Sequence, residues 1–291
     1  MKSPHFGYLR AQSLRHACQL LSAHEGEAIA LAGGQSLLPG LNMRLSSPRL
    51  LVDIGELPEL KGMHFGEREV RLGALTRHFE LLNCAMLREL VPLLPRAATH
   101  VAHAAIRNRG TLGGSLAYAD PAAELPACAV ALDATIIVAG LEGEREIKAE
   151  DFFVGLMETT LQPGELIIAV RFPVRTPTTR YAFGEFARRH GDFAVAGVAI
   201  CAETEGQRIV APRVVYFGCV DRAKVARSVS SAVTGLPLAP TNMENIVDAV
   251  EQDLDPDDIP GWRADTRLRL AKEITRRAIG DLRQAPTLHA S

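Results

Sequence analysis

Two short segments of this 291-residue chain carry residue types suited to holding a phosphate: Ala32-Gly33-Gly34-Gln35-Ser36 and Thr111-Leu112-Gly113-Gly114-Ser115. Each follows apolar sequence and ends in small polar residues. Glycine admits positive φ and lets a ligand reach the main chain with no Cβ in the way. Successive N–H groups in such a turn form an anion-binding nest, to which the hydroxyls of Ser36, Thr111 and Ser115 can add donors. A diphosphate held from two sides is the target that the pair suggests. For either segment alone, a tight turn between buried elements is the competing reading. The repeated composition favours a ligand, and replacing Gly34 or Gly114 with a bulky residue is then expected to abolish its retention.

Other chemistry finds less support. Asp53 ends an apolar run about twenty residues after Gly34, where a ribose-binding acid of a Rossmann fold would lie, but no Gly-x-Gly-x-x-Gly precedes it. His100 and His103 sit three apart with no Cys or carboxylate completing a ligand set, and nothing in the sequence brings His190 to them. They read as surface or structural histidines. Asp120, Glu124 and Asp133 read as caps or solvated groups on the residues alone. There is no Gly-x-Ser-x-Gly elbow, no P-loop and no His-Glu-x-x-His. Five cysteines, Cys18, Cys84, Cys128, Cys201 and Cys219, are far apart and form no Cys-x-x-Cys pair. They read as reduced, mostly buried small hydrophobes, so redox chemistry would need an organic cofactor.

The elements around the two segments alternate between helix and strand. Leu14, Ala17, Cys18 and Leu21 recur at helical spacing over 13–23; residues 27–31 and 50–54 read as short strands, the first running into Gly33-Gly34. Two strands with a short crossover imply a small parallel layer. Residues 37–45 read as a helical turn or loop. Further on, 70–73 reads as a strand leading to a helix over 81–90, and Pro92 and Pro95 interrupt the apolar segment that follows. A helix-to-strand passage covers 128–138, and 166–172 reads as a strand stopped by Pro173. Residues 173–179, with two prolines and three threonines, read as a linker. Beyond it, 193–202 and 209–220 read as an antiparallel hairpin around a polar turn, and helices are expected over 242–251 and 265–282.

Nearly half the residues are apolar, about a quarter are charged and the net charge is −2. That is the balance of a globular chain with a substantial core, and its length suits two domains. No block of Lys and Arg marks a nucleic-acid or anionic membrane partner. Neither a signal peptide nor an apolar run long enough for a membrane helix is evident, so a cytoplasmic location is expected.

The motifs, taken at greater length, resemble one family. Ala32-Gly33-Gly34-Gln35-Ser36-Leu37-Leu38-Pro39, Leu51-Val52-Asp53-Ile54 and the long run from Ile106 through Arg109-Gly110-Thr111-Leu112-Gly113-Gly114-Ser115 to Asp120-Pro121 are similar to the FAD-binding medium subunits of molybdenum hydroxylases, a group that includes carbon monoxide dehydrogenase and xanthine dehydrogenase. The likeness continues through Pro163-Gly164-Glu165-Leu166 and Arg188-Arg189-His190-Gly191-Asp192-Phe193-Ala194, and so covers nearly the whole chain.

The resemblance implies an α+β fold: two α/β subdomains of a PCMH-type FAD-binding domain over 1–177, then a small antiparallel sheet with helices over 178–285, with 286–291 as a disordered tail. It implies non-covalent FAD, with the main chain of Ala32, Gly33, Gly34, Gln35, Ser36, Leu37 and Leu38 and of Thr111, Leu112, Gly113, Gly114 and Ser115 around the diphosphate and its neighbours. Val101, Glu124 and Ile167 match further cofactor-contacting positions, Glu124 as a hydrogen-bonding group for ribose or adenine. Phe193 matches an aromatic position near the isoalloxazine; a core position in the hairpin is its alternative. No catalytic or metal-binding residue is implied on this chain. Two departures stand out. Ser115 replaces an Asn common in relatives, and near Glu185 some relatives carry a Lys that approaches the flavin. A carboxylate there would repel a reduced, anionic flavin, so Glu185 is not included in the site.

In such a family electrons leave the substrate at a molybdopterin centre on a large subunit, cross [2Fe–2S] clusters on a small subunit and reach FAD on this one. The partners implied are those two subunits, in a heterotrimer or a dimer of heterotrimers, with NAD, oxygen or a quinone as terminal acceptor. The rival readings are a stand-alone flavin oxidoreductase and a non-catalytic dinucleotide-binding module.

Overall fold

The computed structural model describes residues 2–238 and 243–282; the expected tail at 286–291 and the expected helix start at 242 lie outside them. The chain opens with β1 (Gly7–Arg10), α1 (Leu14–Ala23), β2 (Ala28–Leu31), α2 (Leu37–Asn42) and β3 (Leu50–Asp53). Ser13 caps α1 by accepting from the His16 N–H, and Ala17, Cys18 and Leu21 are buried on one face. The three strands pair in parallel in the order β1-β3-β2. The expected parallel layer is present, with β1 as a third strand that the sequence reading did not identify.

Next come β4 (Met63–Phe65), β5 (Glu69–Gly73), α3 (His78–Asn83), α4 (Ala85–Leu90), α5 (Leu93–Ala98), α6 (Ala104–Arg107), α7 (Leu112–Tyr118) and α8 (Glu124–Ala131). They are followed by β6 (Thr135–Gly140), β7 (Gly143–Lys148), α9 (Ala149–Phe152), β8 (Phe153–Gly155), β9 (Glu158–Thr159) and β10 (Leu166–Pro173). The order β4-β5-β10-β6-β7 makes a five-stranded antiparallel sheet with β10 at its centre. Its two faces serve two cores. Ile137, Ala139, Leu166 and Ile168 face α1 and the parallel layer, while Ile136, Val138, Ile167, Val170 and Phe172 face the helices.

Three expectations in this region need correction. The single helix over 81–90 is two, α3 and α4, joined at Cys84, whose extended backbone breaks the run. Pro92 and Pro95 do not stop a helix: Pro92 is the N-cap of α5 and Pro95 lies in its first turn, where no intrahelical donor is required. Gly113 and Gly114 lie not in a turn but in the first turn of α7, with Thr111 as N-cap.

The remainder is β11 (Arg180–Ala187), β12 (Ala194–Glu205), β13 (Arg208–Phe217), α10 (Arg227–Val233), α11 (Glu244–Asp253) and α12 (Ala264–Leu282). The expected hairpin is β12–β13; β11 adds an antiparallel edge strand, and α10 is a further helix that the sequence reading passed over. One face of this sheet packs on α10, α11 and α12. The other carries Phe183, Ala199, Val215 and Phe217 into the same core as Val130 and Leu125 of α8. That explains why all eight residues of α8 are buried: the helix lies between two sheets. Residues 173–179 are tied down rather than loose, because the Thr176, Thr178 and Thr179 hydroxyls all donate to the Glu203 carboxylate.

Candidate functional site: a cavity shared by three layers

The first glycine segment leaves β2 and turns sharply at Gly34, whose φ is +71°. Gln35 steadies the turn by donating from Nε2 to the Gly33 carbonyl at 2.9 Å. The second segment is held differently. The stretch 74–78 pairs with 110–113: Leu112 N–H donates to the Thr76 carbonyl at 2.8 Å, Gly113 N–H to the Ala74 carbonyl at 2.8 Å, and His78 N–H to the Gly110 carbonyl at 3.0 Å. The two segments touch each other directly. A Cβ on Gly33 would stand 2.1 Å from the Arg109 carbonyl oxygen, and one on Gly114 would stand 3.9 Å from the Ala32 Cβ. Residues 76 apart in sequence thus form one continuous wall.

That wall bounds a cavity of about 1220 Å³, larger than a usual small-molecule pocket and suited to a ligand of dinucleotide length. Of the residues named from the sequence, Ala32, Gly33, Gly34, Gln35, Ser36, Leu37, Val101, Thr111, Gly113, Gly114, Ser115, Glu124, Ile167 and Phe193 line it; Leu38 and Leu112 do not. Leu112 is fully buried in the core beneath α7, and the Leu38 side chain lies over Gly34.

The donors of the two segments are not equivalent. Within 112–115 every main-chain N–H is already satisfied: Leu112 and Gly113 as above, Gly114 by the Thr111 hydroxyl at 3.2 Å, and Ser115 by the Thr111 carbonyl at 3.0 Å. The expected second nest is absent because capping and strand-like pairing consume its donors. By contrast, the N–H groups of Gly33, Gly34, Gln35 and Ser36 find no acceptor among the described residues. Four successive unpaired donors on a cavity wall fit an anionic group. The Ser36 and Ser115 hydroxyls, both on the lining, add two more polar groups.

The glycines answer mainly to the protein itself. A Cβ on Gly113 would stand 2.6 Å from the Ala74 Cβ, and one on Gly114 2.7 Å from the capping Thr111 hydroxyl. Loss of ligand on substitution there would report the wall, not a blocked ligand approach.

The lining also carries titratable groups in unusual states. His78 is buried on the lining, neither ring nitrogen makes a hydrogen bond, and burial holds its pKa down to about 4. Burial lifts the Glu124 carboxyl to about 7, with the Asp120 charge adding to the effect. Asp120 accepts from the Ala122 N–H at 2.9 Å, closing a local turn ahead of α8 and not capping it, and Asp133 pairs with Lys148 at 2.9 Å. Glu124 is not solvated: it is 8% exposed and faces the cavity. Glu185 stands behind it, its side chain 3% exposed, and burial followed by the Glu124 charge raises its carboxyl to about 8. Glu185 is not on the cavity lining.

The third layer closes the cavity. The β11–β12 loop brings Arg188, Gly191, Asp192 and Phe193 to the rim. Phe193 is 77% exposed, which removes the hairpin-core alternative. A Cβ on Gly191 would stand 2.6 Å from the Ala102 carbonyl, so this loop sits directly on the 101–102 bend, which Arg107 holds by donating to both carbonyls at 2.9 and 2.7 Å. The same loop brings His190 to His100, ring centres 5.6 Å apart, a proximity that sequence reading did not anticipate. His103 lines the cavity separately.

Ile259, Pro260 and Trp262 complete the rim; Pro260-Gly261 makes the tight bend, and the pair of turn formers was the only local signal for it. Asp53 accepts from the Gly55 N–H at 2.8 Å and from the Tyr8 hydroxyl. It shapes the end of β3 and is not on the lining, against the Rossmann reading. Among the described residues no cluster of His, Cys, Asp and Glu could hold a metal, and no helix is long and apolar enough to cross a membrane.

Comparison with known proteins identifies two families along the chain. Residues 4–175 match the FAD binding domain in molybdopterin dehydrogenase, and residues 181–282 match the CO dehydrogenase flavoprotein C-terminal domain. The nicotine 6-hydroxylase medium subunit of Paenarthrobacter nicotinovorans is 38% identical, over 96% of this chain and 98% of that one. Quinoline 2-oxidoreductase from Pseudomonas putida 86 superposes with a TM-score of 0.89 at 37% identity, covering 98% and 99% of the two chains. Reconstituted CO dehydrogenase from Oligotropha carboxidovorans superposes with a TM-score of 0.94 at 29% identity, covering 98% of this chain and 100% of its own.

Proposed function

Because this chain belongs to the FAD-binding medium subunits of the molybdenum-containing dehydrogenases, we propose that it is the electron-relay subunit of a cytoplasmic heterotrimer, or of a dimer of heterotrimers. Electrons taken from substrate at a molybdopterin centre on a large subunit reach this chain from [2Fe–2S] clusters on a small subunit and leave to a terminal acceptor. FAD supplies a centre that takes up electrons singly and gives them up in pairs.

The observation that carries the reading is the row of unpaired N–H groups from Gly33 to Ser36 on the cavity wall. In this reading they hold the FAD diphosphate, the Ser115 hydroxyl assists from the facing segment, Glu124 donates or accepts a hydrogen bond on the ribose or adenine side, and Val101 and Ile167 flank the ligand. Phe193 on the rim covers the isoalloxazine. Residues 1–177 and 178–285 are the two domains of this assignment. The relatives named above act on different substrates by name while sharing one fold with this chain, as befits a subunit that does not shape the substrate pocket.

Purifying the full chain and recording its visible spectrum tests the cofactor; adding an aldehyde or an N-heterocycle tests the division of labour. The flavin is expected to stay oxidised with the chain alone and to bleach after co-expression with both partner subunits, with molybdenum and iron co-eluting on gel filtration. Substrate-dependent bleaching without partners would support the stand-alone oxidoreductase. Dinucleotide binding without flavin would support the binding module.

A further inference from the structure

We propose that His78 is a hydrogen-bonding residue of the cofactor site, its ring N–H donating to the diphosphate of bound FAD. The inference rests on reading the cavity as the FAD site. It adds to that site a residue outside both glycine segments.

His78 is the first residue of α3 and ends the stretch 74–78 that pairs with 110–113. Its main-chain N–H donates to the Gly110 carbonyl at 3.0 Å, and the neighbouring Arg77 bridges to Thr111. The residue is 6% exposed, yet neither Nδ1 nor Nε2 has a hydrogen-bond partner among the described residues. An unpartnered polar group in such a place costs free energy. Packing alone does not account for it, because an apolar side chain of similar volume would fill the space without that cost. Thr76, two residues earlier, has an equally buried and unpartnered hydroxyl, but it lies off the cavity. His78 lies on the lining, where a ligand can supply the missing partner.

Position selects the part of the ligand. Gly110 stands between His78 and the first glycine segment: a Cβ on Gly33 would be 3.0 Å from the Gly110 Cα, and a Cβ on Gly110 would be 2.9 Å from His78 Cε1 and 3.0 Å from Nδ1. The imidazole is thus one residue's thickness from Gly33, where the row of unpaired N–H groups begins. Burial holds the ring neutral near neutral pH, with its pKa down at about 4; the Thr111 main chain offsets part of this without completing a hydrogen bond, and the Arg107 charge adds to the depression. A neutral imidazole keeps one N–H to donate. The diphosphate has acceptor oxygens enough for that donor as well as the main-chain row, and a hydrogen bond to a charged group is among the stronger ones.

The test titrates the flavin-free full chain with FAD, following flavin fluorescence, in wild type, His78→Leu and His78→Gln. Leu keeps the volume and removes the polar atoms; Gln keeps an N–H at similar reach. His78→Leu is expected to bind FAD about tenfold more weakly, the low end for a hydrogen bond to a charged group, while its flavin-free form melts no lower than wild type. His78→Gln should stay within about threefold of wild type. Equal affinity in His78→Leu and wild type would overturn the proposal. So would a weakened affinity joined to a lowered melting temperature of the flavin-free chain, the mark of a residue that only supports Gly110. Ring-nitrogen NMR gives a second readout, the His78 signals being those absent from His78→Gln. One of them should move on FAD uptake; if none does, the proposal is overturned even where His78→Leu fails to fold. Phosphorus NMR of bound FAD locates the contact, and identical diphosphate signals in wild type and His78→Leu would overturn the assignment to that part of the ligand. A wild-type chain that takes up no FAD would remove the cofactor reading itself, whereas equal uptake by wild type and His78→Leu removes this inference alone.

Discussion

Glu185 and Ser115 show how differently two polar residues beside one cavity can act. Glu185 is held protonated, with a carboxyl at about 8 against an unfolded value near 4.5. Its contribution to folding therefore declines as pH rises from the unfolded value to the folded one, and stays low above it. Glu185→Gln should match the wild-type chain in urea denaturation near pH 4 and exceed it at pH 8 by on the order of 2 kcal/mol. Equal pH profiles would mean that Glu185 ionises freely. His78 has the opposite sign on the acid side: with its pKa held down to about 4, stability should be lost as pH falls from about 6.5 towards 4. That acid limb should flatten in His78→Gln. Ser115 is a simpler case, a lining hydroxyl expected to give one hydrogen bond to the cofactor. Ser115→Ala should weaken FAD binding about tenfold by fluorescence titration, with unchanged melting of the flavin-free chain. Gly33→Ala should instead fail to accumulate as soluble protein, because its Cβ has no room against the Arg109 carbonyl.

Among the elements, α7 decides how the second glycine segment works. Its N-cap Thr111 is also part of the strand-like pairing with 74–78. Removing the hydroxyl in Thr111→Ala should cost about 1 kcal/mol of stability, the usual worth of a cap. It should also free the Gly114 N–H. If that freed donor turns to the cofactor, FAD binding falls less than stability does; calorimetry of flavin-free and flavin-loaded protein separates the two effects. Element types were largely legible from periodicity: α1, β2, β3, β10 and the β12–β13 hairpin lie where the spacing of apolar residues put them. Two of the misreadings share one cause. Gly113-Gly114 and Pro92–Pro95 contain residues that punctuate chains, and a first helical turn tolerates both types, glycine where another backbone presses close and proline where no donor is needed. The strand β1 is only four residues long and exposed throughout, so its Tyr8-Leu9 pair was too short a run to read as a strand.

For the whole molecule, the shared core has a mechanical consequence. Phe183 and Phe217 stack at 5.4 Å on the side of the C-terminal sheet that meets α8, and Arg213 reaches back to Glu150 at 2.9 Å. Residues 173–179, although rich in proline and threonine, are fixed by the Glu203 carboxylate and by the Arg175 N–H donating to the Leu90 carbonyl at 3.0 Å. The chain should therefore melt in a single transition, shifted upward by FAD through mass action. Limited proteolysis should not cut preferentially at 173–179. Two resolved calorimetric transitions, or early cleavage there, would show that the two regions fold separately.

By itself the sequence determined the class of the molecule and the first wall of its site. Helical and alternating periodicities reflect which faces are buried, and a glycine segment leaving a strand fixes a local turn whose N–H groups have nowhere else to go. The long motif around Thr111 was enough to indicate the family. It did not determine the state of the titratable groups around the cavity. Whether Glu124 and Glu185 carry charge, whether His100 meets His190, and whether the donors of 112–115 are free or spent all depend on which other segments lie within a few ångströms. Desolvation and hydrogen-bond saturation are properties of neighbours in space. Those neighbours come from α5, α8 and β11, elements up to about a hundred residues apart in the chain, and only the packing of three sheets against one another brings them together.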